Sequence, residues 1–315
     1  MKHTIRKFFL ISIIFWIILH VSGNFAQGEG QNNKRIRRPV VAGKFYPANP
    51  EELRNKILDY FKDINSLNMQ EKIVSILVPH AGYDYSGKIA AMAYKQIEHK
   101  KVDTVILMGP SHRVGFSTIS VYPKGFYQTP LGLIEVDSDL ANKLISANKK
   151  IHYFPPAHFW EHSLEVQLPF LQILYPKIKI VPVIMGGQTR ENIEIMINVM
   201  ERILKEETTK RVMLVTTCDY SHYYSYKKAV KLDKVAMEAI QQMNYRKLLS
   251  LVEKRKCEMD AFGPVAVTME VSKRLGANRA YILKYANSGD VTGYKKKVVG
   301  YAAILFIRNG SFQSK

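Results

Sequence analysis

KIVSILVPHAGYDYSG, residues 72–87, decides the architecture. The first seven residues are rich in Ile, Val and Leu and have the length of a strand buried on both faces. Pro79 and Gly82 then turn the chain tightly and present His80 two residues past the strand's end. The same pattern recurs in TVILMGPSH (104–112), which delivers His112, and in RVMLVTTCDYSHYY (211–224), which delivers Asp219 and His222. In open α/β sheets, ligands bind in the crevice outside the carboxyl ends of the strands. Three such ends therefore bring their polar residues to one cleft. A lone histidine after a strand is more often a packing or loop residue, and His99 and His152 are assigned no role on that ground. The repetition, with Gly87, Gly109 and Pro110 crowding the same loops, marks a site.

Further strand-like runs at 117–122, 178–186, 279–286 and 298–307 alternate with helix-like stretches at 51–63, 87–98, 162–174, 190–204, 227–241 and 264–274. Apolar strands alternating with helices imply a sheet covered on both faces, hence a three-layer α/β/α fold with a central mostly parallel or mixed sheet. No Pro/Gly/Ser-rich linker or internal repeat divides residues 38–315, so one domain is expected there. Before it, MKHTIRK and the apolar Phe8–Val21 are expected to form a secretory signal over residues 1–26, too short for a stable span. Residues 27–37 are polar and aperiodic and are expected as a flexible lead-in. The expected location is secreted or periplasmic. Membrane contact is through the signal segment alone, as an anchor if it stays uncleaved.

The formal net charge of +19 is spread over the chain, with small lysine clusters at 100–101, 254–256 and 295–297. No nucleic-acid-binding module accompanies it, and an export signal argues against a nucleic-acid partner. Two cysteines, Cys218 and Cys257, are too few for a disulfide framework; whether they pair is left open.

HFWEHSLEVQLPFL (158–171) has the spacing of an amphipathic helix; Glu161 or Ser163 could cap it and Glu165 be a solvated charge, while the functional reading has His162 and Glu165 face the cleft as its polar wall. KCEMDAFGP (256–264) places Asp260 just before an apolar helix. A carboxylate there is usually a cap, and the residues alone leave cap and metal ligand both open.

GKFYP (43–47), VPHAGYDYSG (78–87), GPSH (109–112), YQTPLG (127–132), EHSLEVQLPFL (161–171), TTCDYSHY (216–223), FGPVAV (262–267), SGD (288–290) and VVGYAA (298–303) stand in one order from about Arg38 to Ile307. Together they resemble the Memo family, whose bacterial and archaeal members are called AmmeMemoRadiSam system protein B. That family is structurally similar to class III (LigB-type) extradiol dioxygenases, which cleave catechol rings with non-haem iron. The resemblance implies a metal pocket of two histidines and a cysteine. His80 and His112 match the histidines, while Asp219 and His222 match a neighbouring Asp-x-x-His pair whose histidine is the acid/base of the dioxygenases. The cysteine position holds Asp260. Two histidines and a carboxylate form the facial triad of non-haem iron enzymes, so the implied cofactor is a divalent metal, Fe(II) in the first place, with Cu, Mn or Zn as other occupants. His162 and Glu165 would line the pocket, and Tyr83 or Tyr85 would donate a hydrogen bond to a bound oxygen or phenol. The expected activity is a dioxygenase-like oxidoreductase acting on a small, phenolic molecule. A non-catalytic metal- or peptide-binding protein and a zinc-type hydrolase stay open as alternatives. The family's usual partners, a radical-SAM protein and an AMMECR-type protein, are expected in the cytoplasm, which sits poorly with an export signal.

Overall fold

The computed structural model describes residues 35–67 and 71–309; the expected signal segment lies outside the described residues. In chain order the strands are β1 (Ile36–Arg37), β2 (Lys72–Val78), β3 (Thr104–Pro110), β4 (Ile119–Val121), β5 (Phe126–Thr129), β6 (Gly132–Val136), β7 (Ile151–His152), β8 (Lys179–Met185), β9 (Val212–Thr217), β10 (His222–Tyr224), β11 (Arg279–Asn287) and β12 (Val298–Arg308). They form one mixed sheet whose heart, in the order β6-β8-β3-β9-β2, is parallel throughout. Antiparallel strands close both margins. β12 lies on β2 and carries β11 and β10, while β5 turns back on β6 and takes β1 beside it. Every residue of β3 is buried. Its neighbours β8 and β9 are held in a register that sets Ile106 opposite both Val181 and Leu214.

Helices cover both faces, as the alternating pattern predicts. Pro50–Lys62, Lys88–Lys95 and Leu168–Leu174 pack on one another, and Lys88–Lys95 lies on β2, β11 and β12. Arg190–Glu206, Tyr245–Glu253 and Phe262–Arg274 form the other layer, with Phe262–Arg274 lying across β9, β2 and β3. Local rules explain their ends. Asn49 accepts from the N–H groups of Glu51 and Glu52 ahead of Pro50, and Leu53, Ile57, Tyr60 and Phe61 make the buried stripe. Thr189 caps Arg190–Glu206 through the N–H of Asn192. Among the described residues, no helix is long and apolar enough to cross a membrane.

Two local expectations change. Residues 162–174 are not one helix: a 3₁₀ turn at Glu165–Gln167 precedes an α-helix that begins only at Leu168. His162 and Glu165 therefore do not share a helical face. Of the expected lead-in, Ile36 and Arg37 pair in parallel with Phe126 and Tyr127, and Arg37 is buried. The cause is distant in sequence. Glu165, fully buried, accepts from the Arg37 guanidinium, the N–H groups of Val40 and Val41 and the hydroxyl of Tyr46. Arg37 also donates to the carbonyls of His158 and Glu161. His158 completes this base, its ring held at 2.9 Å by Ser120 and at 2.9 Å by Tyr127.

Removing one partner of a buried, fully hydrogen-bonded ion pair strands the other charge, at a cost of about 3–5 kcal/mol. Glu165→Gln and Arg37→Met should each lower stability by about that amount in urea unfolding, and the double variant by less than their sum; additive losses would show that the two side chains act independently. The His158 imidazole gives a pH signature. Burial, helped by the Arg37 charge, pushes its pKa from 6.5 down to about 3, against the pull of Glu161. The folded protein keeps it neutral while the unfolded chain takes up a proton, so stability is full above the unfolded value and falls as pH drops from 6.5 toward about 3. His158→Gln should flatten that part of the urea midpoint–pH curve. Parallel curves for the parent and variant would refute the assignment.

Candidate metal centre

The carboxyl ends of β8, β3, β9 and β2 lie side by side, and each feeds a polar residue into the same crevice. β2 delivers His80, β3 delivers His112, β9 delivers Asp219 and His222, and the loop after β8 delivers Gln188. Asp260 arrives from the other direction, on the approach to the helix Phe262–Arg274.

Asp260 is not that helix's cap. The capping position is Ala261, which makes no side-chain bond. Gln188 takes over, accepting from the N–H of Gly263 at 2.7 Å and donating to the Asp260 carbonyl at 2.6 Å. The carboxylate is thereby released from capping. Its Oδ1 accepts from the N–H of Asp219 at 3.0 Å, and the N–H of Asp260 donates back to the Asp219 carbonyl at 3.2 Å. Oδ2 is left facing three imidazoles: the Nε2 atoms of His80, His112 and His222 lie at 2.9, 3.4 and 3.9 Å.

The far nitrogens are anchored. His80 Nδ1 stands 2.9 Å from Thr217 Oγ1, which also accepts from the Gln167 amide at 2.9 Å. The Tyr94 hydroxyl donates to Gln167 Oε1 and so fixes that amide's orientation. His112 Nδ1 lies 2.8 Å from Glu161 Oε1, and its backbone N–H donates to Glu161 Oε2 at 2.6 Å. Metal-binding histidines characteristically engage their second nitrogen in this way, which orients the ring and leaves Nε2 for the ion. One donor atom from each of His80, Asp219 and Asp260 falls within 4.8 Å of the others, and the same holds for His80, His112 and His162.

Carboxylates and imidazoles shift one another's ionisation here. Burial opposes ionisation of Asp260, but the charges and hydrogen bonds of His80 and His112 hold its carboxyl below the usual range. Burial pushes the neighbouring Asp219 carboxyl up, against the pull of His80. Burial alone would depress His112, yet its bonds to Asp260 and Glu161 raise it to about 10. His80 is likewise raised, because Asp260 and Asp219 outweigh its burial. Glu161 stays ionised, held at about 2 by His112 in spite of burial. Buried carboxylates here draw positive charge onto imidazole nitrogens that point at one oxygen. A divalent ion in the same place satisfies those carboxylates and leaves the imidazoles neutral. His80, His112 and Asp260, expected as ligands, all belong to the two groups that have the chemistry to hold a divalent ion: His80, His112 and His162 form one, and His80, Asp219 and Asp260 the other.

Other expectations are redistributed. Glu165 lies away from the cleft, committed to Arg37 and the 40–46 segment. Tyr83 is buried and donates to the Val166 carbonyl at 2.7 Å, so its hydroxyl is not available to a ligand. Tyr85 is 46% exposed, on the turn Tyr83–Gly87. His162 is in place, its ring centroid 4.6 Å from that of His112 and 5.8 Å from that of His80. Glu161 accepts from the N–H groups of His162 and Ser163 as a capping group would, and also holds His112. Gln188 and Thr217 carried no sequence signal, since both act across the fold. Cys218 and Cys257 are buried and free. Burial pushes both thiols up, the Asp260 carboxylate adding to the effect at Cys218 and Asp233 at Cys257.

Because Gln188 positions Asp260 without touching Oδ2, Gln188→Ala should weaken divalent-metal affinity by about 10–100-fold, the usual effect of losing a group that orients a ligand. Competition titration against a chelator measures it. Unchanged affinity would mean that the Asp219–Asp260 backbone bonds suffice.

A profile described as Memo-like protein matches residues 37–305. A MEMO1 family protein of Saccharolobus solfataricus is 37% identical over 281 residues, covering 86% of this chain and 99% of that protein. A MEMO1 family protein of Sulfurisphaera tokodaii is 35% identical over 282 residues, with 86% and 99% covered. A solved structure of an uncharacterized protein of Escherichia coli K12 is similar at a TM-score of 0.43 and 10% identity, over 75% of this chain and 100% of that one. With its profile match spanning nearly the whole described chain and relatives above a third identical over almost their full length, this chain belongs to the Memo family.

Proposed function

We propose that the chain is a divalent-metal oxidoreductase of the extradiol-dioxygenase type, with iron(II) held by His80, His112 and Asp260 and a small phenolic molecule as substrate. The observation that carries this reading is a single carboxylate oxygen, Asp260 Oδ2, faced by three imidazole Nε2 atoms within 3.9 Å at the carboxyl edge of a parallel sheet. Two histidines and a carboxylate are the donor set of non-haem iron oxygenases. When bound, the iron supplies electron transfer between a phenolic substrate and dioxygen.

The chain's own residues divide the remaining work. His222 is the outermost of the three imidazoles around Asp260, with 28% of its side chain exposed. Its backbone N–H is held by Glu258 at 3.2 Å, and the Tyr224 hydroxyl donates to the same carboxylate at 2.8 Å. That clasp fixes the short β10 ribbon and leaves the ring at the cleft, where Nε2 can accept and return a proton. Asp219 sits beneath, its Oδ1 accepting the backbone N–H of His80 at 2.8 Å, and its charge bears on both His80 and His222. Phe159 and Trp160, exposed and packed edge to face at 4.7 Å, immediately precede Glu161 in the chain and offer apolar surface to an aromatic ligand. The segment 1–26 supports the further proposal that this work is done outside the cytoplasm.

Protein purified anaerobically should contain near-stoichiometric iron or another divalent metal, and Asp260→Ala should lose it. Oxygen uptake with phenols should then follow in the parent. His222→Gln should keep the metal while turnover falls by about 10²–10⁴-fold, the range for loss of a general acid/base. Failure to bind iron, copper or zinc would overturn the metal reading, whereas bound zinc with ester hydrolysis and no oxygen uptake would replace it with a hydrolase.

A further inference from the structure

One buried carboxylate backs two imidazoles. Glu161 Oε1 stands 2.8 Å from His112 Nδ1 and 3.5 Å from His162 Nδ1. The carboxylate cannot swing away. Its Oε1 also accepts from the N–H groups of His162 at 3.0 Å and Ser163 at 2.8 Å, and its Oε2 from the N–H of His112 at 2.6 Å. The backbone is pinned too, because Arg37 donates to the Glu161 carbonyl.

The His162 ring has a nitrogen that the protein leaves without a hydrogen bond, the buried Nδ1. The ring is caged rather than bonded. Phe45 packs on it edge to face at 4.9 Å between centroids, and His80 does the same at 5.8 Å. A carboxylate beside Nδ1 favours the tautomer with the proton on that nitrogen, which leaves Nε2 with a free lone pair. His112 is prepared by the same carboxylate in the same sense. A ligating imidazole places its ring centre about 3.2 Å from the ion, given a metal–nitrogen bond of about 2.1 Å. Adjacent imidazoles on one ion then have centres about 4.5–5.3 Å apart. The observed separations are 4.6 Å for His112–His162, 5.0 Å for His80–His112 and 5.8 Å for His80–His162. The first two fall in that range and the third is moderately wider.

We infer that His162 is a further metal ligand, so that the ion is held by three histidines and Asp260 rather than by two histidines and Asp260. The inference rests on the metal reading given above and deepens it. A fourth protein donor leaves fewer positions for exogenous ligands than a two-histidine–carboxylate face does.

The test uses the full chain loaded with Cu(II) alone, counting bound imidazoles by electron spin echo envelope modulation, with Cu(II) affinity measured in parallel. The expected result is three imidazoles in the parent and two in His162→Gln, with affinity falling at least 10-fold in the variant. Glu161→Gln, which keeps the shape but removes the charge behind both rings, should weaken binding without lowering the count. A count of two in the parent overturns the inference while leaving the metal reading intact, and needs no variant to fold. A count of three that persists in His162→Gln assigns the third imidazole to His222 and also overturns it. A parent that binds no copper overturns the metal reading itself.

Discussion

A buried ion pair between Arg37 and Glu165, 128 residues apart in the chain, ties the amino-terminal segment to the turn that supports the site. Glu165 has no solvent to stabilise its charge, and it is satisfied by the guanidinium, two backbone N–H groups and the Tyr46 hydroxyl. Arg37 donates two further N–H groups to the carbonyls of His158 and Glu161. The loop that bears Glu161 and His162 is thereby fixed at its base. Such a pair contributes little to net stability against an apolar replacement, but it tolerates only one arrangement of the chain.

From that anchor the site is built outward by reciprocal bonds. Glu161 orients His112, and Thr217 with Gln167 orients His80. The backbones of Asp219 and Asp260 hold each other, while Gln188 fixes the Asp260 carbonyl and caps the following helix. Each donor atom that faces the centre is thus held by a group behind it. That preorganisation allows the cluster to keep its geometry although like-charged groups crowd it, and it matches what metal sites require.

A large share of this was legible in the chain. Continuous apolar strands announced a sheet covered on both faces, and the Pro, Gly and His residues at 79–82 and 109–112 announced a crevice at the strand ends, because strand burial and turn chemistry are local. Asp260 was legible as a choice between two roles, and the choice turned on Gln188, which lies 72 residues away and bonds the Asp260 carbonyl. Glu165 illustrates the converse. Its spacing from His162 put both on one helical face, but the helix begins only at Leu168 and the carboxylate turns to Arg37 instead. The β5–β6 pair and the helix Tyr245–Glu253 went unread, the former because short margin strands alternate in burial and carry no continuous apolar run.

The sequence by itself determined the layer architecture and the strand-end cleft with its candidate histidines, since periodicity and turn residues are written one segment at a time. Only the tertiary structure decided which polar residues gather at the cleft and which serve the fold. That assignment depends on partners brought together from distant segments: Glu161 with His112, Gln188 with Asp260, and Arg37 with Glu165. A carboxylate's role is set by what its burial places beside it, and burial is a property of the whole chain.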